Sequence, residues 1–335
     1  MYQSVRIQNF RGFENLTVDG LSRVNLIVGE NGVGKTALLE AVYLLAGLKL
    51  YHPLRSLEAR RGLSETNKAW RLDGDLLESL FCEFNARRPL QVNGTGARGD
   101  DAFTLSATNA QGQLGAKLSW RLADGRGLES DYGPDGPIGG TSSDPRALPS
   151  DEPVFLSTRT TLGLKAEANR FSSVVKHGKR PQIIRSLQVI EPRIRGLELL
   201  TFGEQSAVHA DVGLLRMIPL GLIGEGLQRL CSLVLATSEA SGFVLLVDEI
   251  DTGLHYSILA DMWRVMSTAA RELNYQLFTT THSYECMTAA HEAFADHPED
   301  FSMHRLERQK DGTIVSNDFG HDDLGTALEL GFEVR

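Results

Sequence analysis

The sequence predicts an α/β fold in which a phosphate-binding loop joins a buried strand to a helix. Three observations carry this expectation. The stretch Gly29-Glu30-Asn31-Gly32-Val33-Gly34-Lys35-Thr36 fits the pattern G-x-x-x-x-G-K-[ST], follows the apolar run Val24–Val28 and opens a helical run from Ala37 to Leu48. A second unbroken apolar run, Phe243–Val247, ends in the carboxylates of Asp248 and Glu249. Apolar strands of this kind then alternate with helical runs through the C-terminal half, at Leu227–Ala236, 255–272 and Gln276–Thr281.

The remaining elements follow in chain order. Val5–Phe10 alternates apolar and polar residues, as a half-buried strand does. Residues 76–85 and 90–132 read as further strands, with Phe103–Thr108 and Lys117–Leu122 joined by a hairpin connection at Asn109–Gln113. From 133 to 151 the chain is rich in Gly, Pro, Ser and Asp, and a mobile loop is expected. Glu152–Ser157 is a short buried strand, and residues 165–200 read as helical and basic. Near the C-terminus, Met303–Gln309 and Thr313–Asp318 flank Asp311-Gly312, a strong hairpin signal.

Length and composition bound the function. A chain of 335 residues with 41% hydrophobic content can bury a large core, and its length suggests about two domains. A net charge of −9 excludes nonspecific nucleic-acid binding by the whole surface, so any such binding needs a local basic patch. Residues 165–195 offer one, with eight Lys or Arg against Glu167 and Glu191. Cys82, Cys231 and Cys286 match neither a disulfide framework nor a metal-ligand spacing, which fits reduced thiols in a cytoplasmic protein. Arg6 and Arg11 interrupt the N-terminus before a secretory core forms. The longest apolar run, Ala37–Leu50, carries Glu40 and Lys49 and is too short to span a bilayer, so no membrane association is expected.

The motifs name candidate site residues. Loop residues Asn31, Gly32 and Gly34 offer consecutive backbone N–H groups to phosphate oxygens, the glycines letting the loop curl, and the helix N-terminus adds partial positive charge. Lys35 would reach the β- and γ-phosphates of ATP, and the Thr36 hydroxyl would ligate Mg²⁺. Asp248 would hold the same Mg²⁺, and Glu249 would orient the attacking water. Gly224 and Gly226, in Leu222–Leu230, mark a second anion-binding helix start. His282, after Thr279-Thr280-Thr281, stands where it can bond a γ-phosphate or the water.

In this order and spacing the chain resembles the ABC-type ATPase superfamily, on the branch holding SMC, RecF and the OLD (overcoming lysogenization defect) ATPases. Ile7-Gln8-Asn9-Phe10-Arg11-Gly12-Phe13 resembles that branch's N-terminal strand, which places Arg11 among the nucleotide-binding residues. Gly224-Glu225-Gly226 resembles its degenerate signature, Asp251 its D-loop and His282 its switch histidine, and the terminal Leu324–Arg335 resembles OLD-like ATPases. Residues 1–50 and 200–335 carry the likeness, and 50–200 share it in outline only.

The resemblance implies a P-loop NTPase core of ABC-ATPase type in 1–157 and 200–335, an antiparallel β subdomain near 76–132 and an inserted helical lobe at 158–200. It also implies a homodimer or higher homo-oligomer closing around Mg-ATP, with ATP between one subunit's P-loop and another's signature. The sequence departs from the pattern at several points. Ile223 fills the signature's serine position, and no glutamine follows the strand at 152–157, where either Ser157 or Thr158 substitutes or the Mg²⁺ lacks that ligand. There are no coiled-coil arms and no room for a Toprim nuclease domain, so a separate effector, a nuclease or toxin, is the expected partner. Antiphage defence is the expected setting, and a RecF-like ATPase acting on DNA is the alternative. A transporter subunit fits worse, given the N-terminal strand and the missing glutamine. A GTPase fits worse still, because Asn67-Lys68-Ala69-Trp70 lacks the guanine-reading aspartate.

Overall fold

The computed structural model describes residues 1–47, 53–61, 72–110, 113–133, 135–142, 153–157, 164–202, 205–240 and 243–329. β1 (Tyr2–Phe10) and β2 (Phe13–Val18) form an antiparallel hairpin, and β3 (Val24–Val28) leads into the glycine-rich loop and α1 (Lys35–Ala46). Two short helices follow, α2 (Pro53–Arg60) and α3 (Gly74–Glu78). Then comes the meander β4 (Leu90–Gly96), β5 (Gly99–Ala110), β6 (Gln113–Arg121), β7 (Gly127–Gly133) and β8 (Gly136–Ser142). β9 (Val154–Leu156) precedes α4 (Leu164–Lys176), α5 (Arg180–Gln188), β10 (Gly196–Phe202), β11 (Gln205–Asp211) and β12 (Ile218–Pro219). The chain ends with α6 (Leu220–Ile223), α7 (Glu225–Glu239), β13 (Val244–Val247), α8 (Leu259–Glu272), β14 (Gln276–Thr280), α9 (Tyr284–Ala293), β15 (Phe301–Arg308), β16 (Ile314–Gly320) and α10 (His321–Glu329).

The described strands make three sheets. A six-stranded sheet has the order β16-β15-β3-β14-β13-β9, parallel except at the β16 edge. A seven-stranded antiparallel sheet has the order β2-β1-β4-β5-β6-β7-β8, and β10-β11-β12 form a third. Side chains of the parallel strands alternate between two cores, as the pleat requires. Val24, Leu26, Val28, Leu245, Val247 and Leu277 face the core built with α7, α8 and α9. Ile27, Val244, Leu246 and Phe278 face the core that holds α1 and the antiparallel sheet. Eleven of the twelve α1 residues are therefore buried, because this helix lies between two sheets and has no solvent face.

Several expectations are corrected. Residues 76–85 are not a strand: Asp73 caps α3 by accepting from the Leu76 N–H at 3.1 Å, and Cys82–Phe84 is a single tight turn. The stretch read as a loop from 133 is in part strand, since β8 pairs with β7 from Leu128↔Ser142 to Gly133↔Gly136. Its glycines suit an edge strand held by backbone bonds with little side-chain packing; residues 143–152 lie outside the described residues. The lobe is helical only through α5, and β10, β11 and β12 carry it past residue 200 as a small sheet. Apolar faces of α4 and α5, through Phe171, Val174, Ile183 and Leu187, join the first core.

Cys231 and Cys286 are buried free thiols and Cys82 is half-buried. Among the described residues, no helix is long and apolar enough to cross a membrane. Asn67–Trp70, Thr158 and the terminal Phe332–Arg335 lie outside the described residues.

Candidate active site

The glycine-rich loop leaves β3 at the carboxyl end of the parallel sheet, where α/β folds place their ligands. Two of its glycines are dictated by close approach. At Gly29 (φ +135°) a Cβ would collide with the Leu306 carbonyl oxygen, and at Gly34 (φ +114°) one would lie 2.7 Å from the Phe13 ring. The loop is thus wedged between β15 and the β1–β2 hairpin, with Asn31 and Gly32 exposed at its tip. Gly34 caps α1, so the first amides of that helix open onto the loop.

Lys35 folds back over the loop. Its Nζ donates to the carbonyls of Gly29 (2.7 Å) and Glu30 (2.9 Å) and lies 3.3 Å from His282 Nδ1. Burial pulls the Lys35 ammonium down to about 8, against the opposing pull of Asp248 and Glu249. Burial, then the Lys35 charge, also lowers the His282 imidazole, which keeps it neutral near pH 7. Lys35 and His282 therefore face the same point from β3 and β14.

Asp248 and Glu249 leave β13 beside them. Asp248 accepts from Thr36 Oγ1 at 3.0 Å and from Thr280 Oγ1 at 2.7 Å. Glu249 has a left-handed backbone, φ +49°, held at its N–H by Thr280 Oγ1 (2.8 Å) and at its carboxylate by Thr252 Oγ1 (3.1 Å). Asp251 accepts from Thr281 Oγ1 at 2.7 Å. The hydroxyls of Thr279, Thr280 and Thr281 thus all bond to β13 or the segment after it, Thr279 reaching the Val247 carbonyl at 2.8 Å. Ser157, at the end of β9, is buried; Asp248 N–H donates to the neighbouring Leu156 carbonyl at 2.8 Å.

The donor set suits Mg²⁺. A hydroxyl and a single carboxylate, already 3.0 Å apart, are the sparse oxygen ligands this ion takes when phosphates and waters complete its shell. Among the described residues no group of three or more His, Cys, Asp or Glu side chains could hold a metal by itself.

The structure gathers Lys35, Thr36, Asp248, Glu249, Asp251 and His282 at one end of the sheet. Gly224 and Gly226 open α7 on the side of the segment after β13, where a Cβ on Gly226 would lie 3.3 Å from the Gly253 carbonyl oxygen. Arg11 is engaged within the chain. Its Nε donates to Glu40 at 2.8 Å, because that carboxylate on α1 is buried and needs cations, and Arg61 supplies the second at 2.6 Å.

Three residues escaped the motif reading. Arg61 is close enough to Asp248 to feel its charge; burial alone would lower its pKa, and the Glu40 bond reverses that. Thr280 joins Asp248 to Glu249. Arg229 on α7 reaches the carbonyls of Asp248 (3.5 Å) and Glu249 (3.3 Å). The polar run Thr279–Thr281 closing an apolar strand was the available signal for Thr280. For Arg229 the signal was an arginine one helical turn after Gly226.

Comparison with known proteins agrees with this geometry. Residues 24–287 match the profile of the family described as "AAA domain, putative AbiEii toxin, Type IV TA system". The chain is 23% identical over 322 residues to a Helicobacter pylori protein named "ATP/GTP phosphatase", covering 85% of this chain and 86% of that one. It is 41% identical over 56 residues to the "DNA replication and repair protein RecF" of an Exiguobacterium species, spanning only 17% of this chain and 15% of that protein. Among solved structures, an SMC head bound to the C-terminal winged-helix domain of ScpA superposes with a TM-score of 0.53 at 13% identity, covering 98% of this chain and 99% of that one. That last likeness is one of fold. The chain belongs to this AAA domain family and has the ABC-type ATPase fold of SMC heads.

Proposed function

We propose that this protein is a Mg²⁺-dependent ATPase switch that closes as a homodimer or higher homo-oligomer around ATP and thereby controls an effector. The observation that carries the reading is the convergence of Lys35, Thr36, Asp248, Glu249 and His282. Lys35 exchanges the Gly29 and Glu30 carbonyls for triphosphate oxygens. Mg²⁺, held by Thr36 and Asp248, supplies charge neutralisation at the phosphates when bound. Glu249 orients and polarises the attacking water, and neutral His282 offers a hydrogen bond near the terminal phosphate. Positioning and electrostatics account for most catalysis of this type. Gly224 and Gly226, at the start of α7, are the face offered to ATP on a partner subunit.

The reading extends to an OLD-like cytoplasmic ATPase in antiphage defence, working with a separate nuclease or toxin. The motif resemblance and the toxin–antitoxin description of the family support it. Calorimetry with Lys35→Ala tests the core of the reading: ATP affinity should vanish, and an unchanged affinity in a folded protein overturns it. A second reading, a RecF-like DNA-binding ATPase, is favoured by the local identity to RecF and by the basic lobe. Within the lobe, Arg170, Arg180 and Arg193 are paired with Glu239, Glu198 and Glu191. A salt-sensitive shift of plain duplex DNA would support this second reading.

A further inference from the structure

Arg229 is a half-buried cation whose hydrogen bonds go to backbone carbonyls. Its Nη2 donates to the Asp248 and Glu249 oxygens, and its Nε is buried with no hydrogen-bond partner. Among the described residues it forms no ion pair within 4 Å. Burial lowers its pKa, while Asp251, Glu249 and Asp248 oppose that shift from a distance. Keeping a guanidinium in such a place is costly unless it fixes something.

What it touches is the strained point of the site. Glu249 is a non-glycine residue at φ +49°, a conformation that costs of the order of 1–3 kcal/mol and persists only where its surroundings impose it. The surroundings are visible. Thr280 Oγ1 holds the Glu249 N–H, while the Thr252 N–H (3.1 Å) and Arg229 hold its carbonyl. Of these three, only Arg229 belongs to α7. That helix begins at Glu225, where a Cβ on Gly226 would crowd the Gly253 carbonyl, and is tied to the lobe by the Arg170–Glu239 pair at 2.7 Å. Glu167 on α4 lies near enough to Gln228 and Ser232, on either side of Arg229 in α7, for both to favour its charged form against burial.

We propose that Arg229 is a positioning residue: it holds the Asp248–Glu249 backbone in the turn that aims the Glu249 carboxylate, and so makes that aim depend on where α7 stands. The inference rests on the reading of Glu249 as the water-orienting group. A shift of α7, whether from a partner subunit at Gly224–Gly226 or from the lobe at Glu167, reaches Glu249 through one side chain. Lys35, Thr36 and the loop amides do not touch Arg229, so nucleotide binding is spared.

The test is a kinetic cycle on the full chain with Mg-ATP. Arg229→Met should lower kcat about 10- to 100-fold, the scale for losing one positioned group, while ATP affinity by fluorescent-nucleotide titration changes less than about 2-fold. The double variant Arg229→Met/Glu249→Gln should be no slower than Glu249→Gln alone, because both act on one group. Should the methionine variant fail to fold, Arg229→Lys serves instead; its ammonium lacks the planar fork, and kcat should still fall at least about 5-fold. Parental kcat in the variant that folds overturns the proposal. So does a parallel loss of ATP affinity, or rate losses that multiply in the double variant. If Glu249→Gln itself hydrolyses at the parental rate, the underlying reading of Glu249 falls and this proposal with it. If Glu249→Gln is slow and Arg229→Met is not, only the proposal falls.

Discussion

Thr280→Val removes one hydroxyl and little else, so its consequence can be worked from the contacts. The Thr280 side chain is fully buried, donates to Asp248 at 2.7 Å and accepts from the Glu249 N–H at 2.8 Å. Valine fills nearly the same volume, so no cavity opens, but a carboxylate loses a donor and a backbone N–H loses its acceptor. A hydrogen bond to a charged group contributes about 1.5–3 kcal/mol, and a buried unpaired N–H costs about 1–3 kcal/mol. A net loss near 3 kcal/mol is expected, which lowers Tm by roughly 4 °C in a chain of 335 residues. Turnover should fall about 10- to 100-fold, because the same hydroxyl fixes the Glu249 turn and the Asp248 carboxylate. Differential scanning fluorimetry and steady-state phosphate release read the two effects. Thr280→Ser is the control: it keeps the hydroxyl, loses one methyl worth about 0.8 kcal/mol, and should retain most activity. A valine variant with parental Tm and parental turnover would refute the argument that this hydroxyl joins the Asp248 carboxylate to the Glu249 backbone.

Other predictions follow from the same geometry. The Lys35 ammonium sits at about 8 in the free protein, and bound triphosphate should raise it; ATP binding should take up about half a proton at pH 8 and close to one between about pH 9 and 10. Calorimetry in buffers of different ionisation enthalpy measures that uptake, and affinity should weaken about tenfold per pH unit across the window; a pH-independent affinity contradicts it. Glu249→Gln should bind ATP, hydrolyse it at least about 10²-fold more slowly and accumulate as a closed pair by light scattering, unless the dimer is held elsewhere. Gly226→Arg should block that closure while single-subunit ATP binding persists, since a side chain there meets the Gly253 carbonyl and the partner face. In the lobe, Arg180 is engaged with Glu198, so Lys176, Lys179 and Arg185 are the set to reverse to Glu. Loss of DNA or effector binding with intact ATP hydrolysis supports a partner surface, and normal binding with normal cellular activity shows ordinary solvent-facing charge.

What was legible in the sequence was what is contiguous. Lys35, Thr36, Asp248 and Glu249 each sit in a motif whose neighbours dictate its conformation, so strand, loop and carboxylates could be read without a partner strand. Thr280 and Arg229 act across the chain, through the parallel register Val247↔Thr279 and through the packing of α7 on the end of β13. No local pattern encodes that register. Arg11 shows the same limit: its motif was visible, but Glu40, about one and a half helical turns into α1, decides where its side chain goes. β8 was missed because glycine content signals a loop when side chains are counted, whereas an edge strand is held by its backbone. The sheet beginning at β10 was missed because the basic residues before it drew the reading toward a helix.

The position of β3 also sets a schedule for synthesis. Its neighbours in the sheet are β14 and β15, some 250 and 277 residues further along the chain, so the strand carrying the phosphate loop has no partner when it leaves the ribosome. At about 5–20 residues per second the wait is roughly 12–60 s. During that time Val24–Val28, five apolar or neutral residues in a row, has nothing of its own sheet to pair with. The antiparallel hairpin of β1 and β2 can form at once and shelter one side of it. Premature termination anywhere before β14 therefore leaves an open strand edge, and truncated products of this chain should be chaperone clients or aggregates rather than smaller working heads.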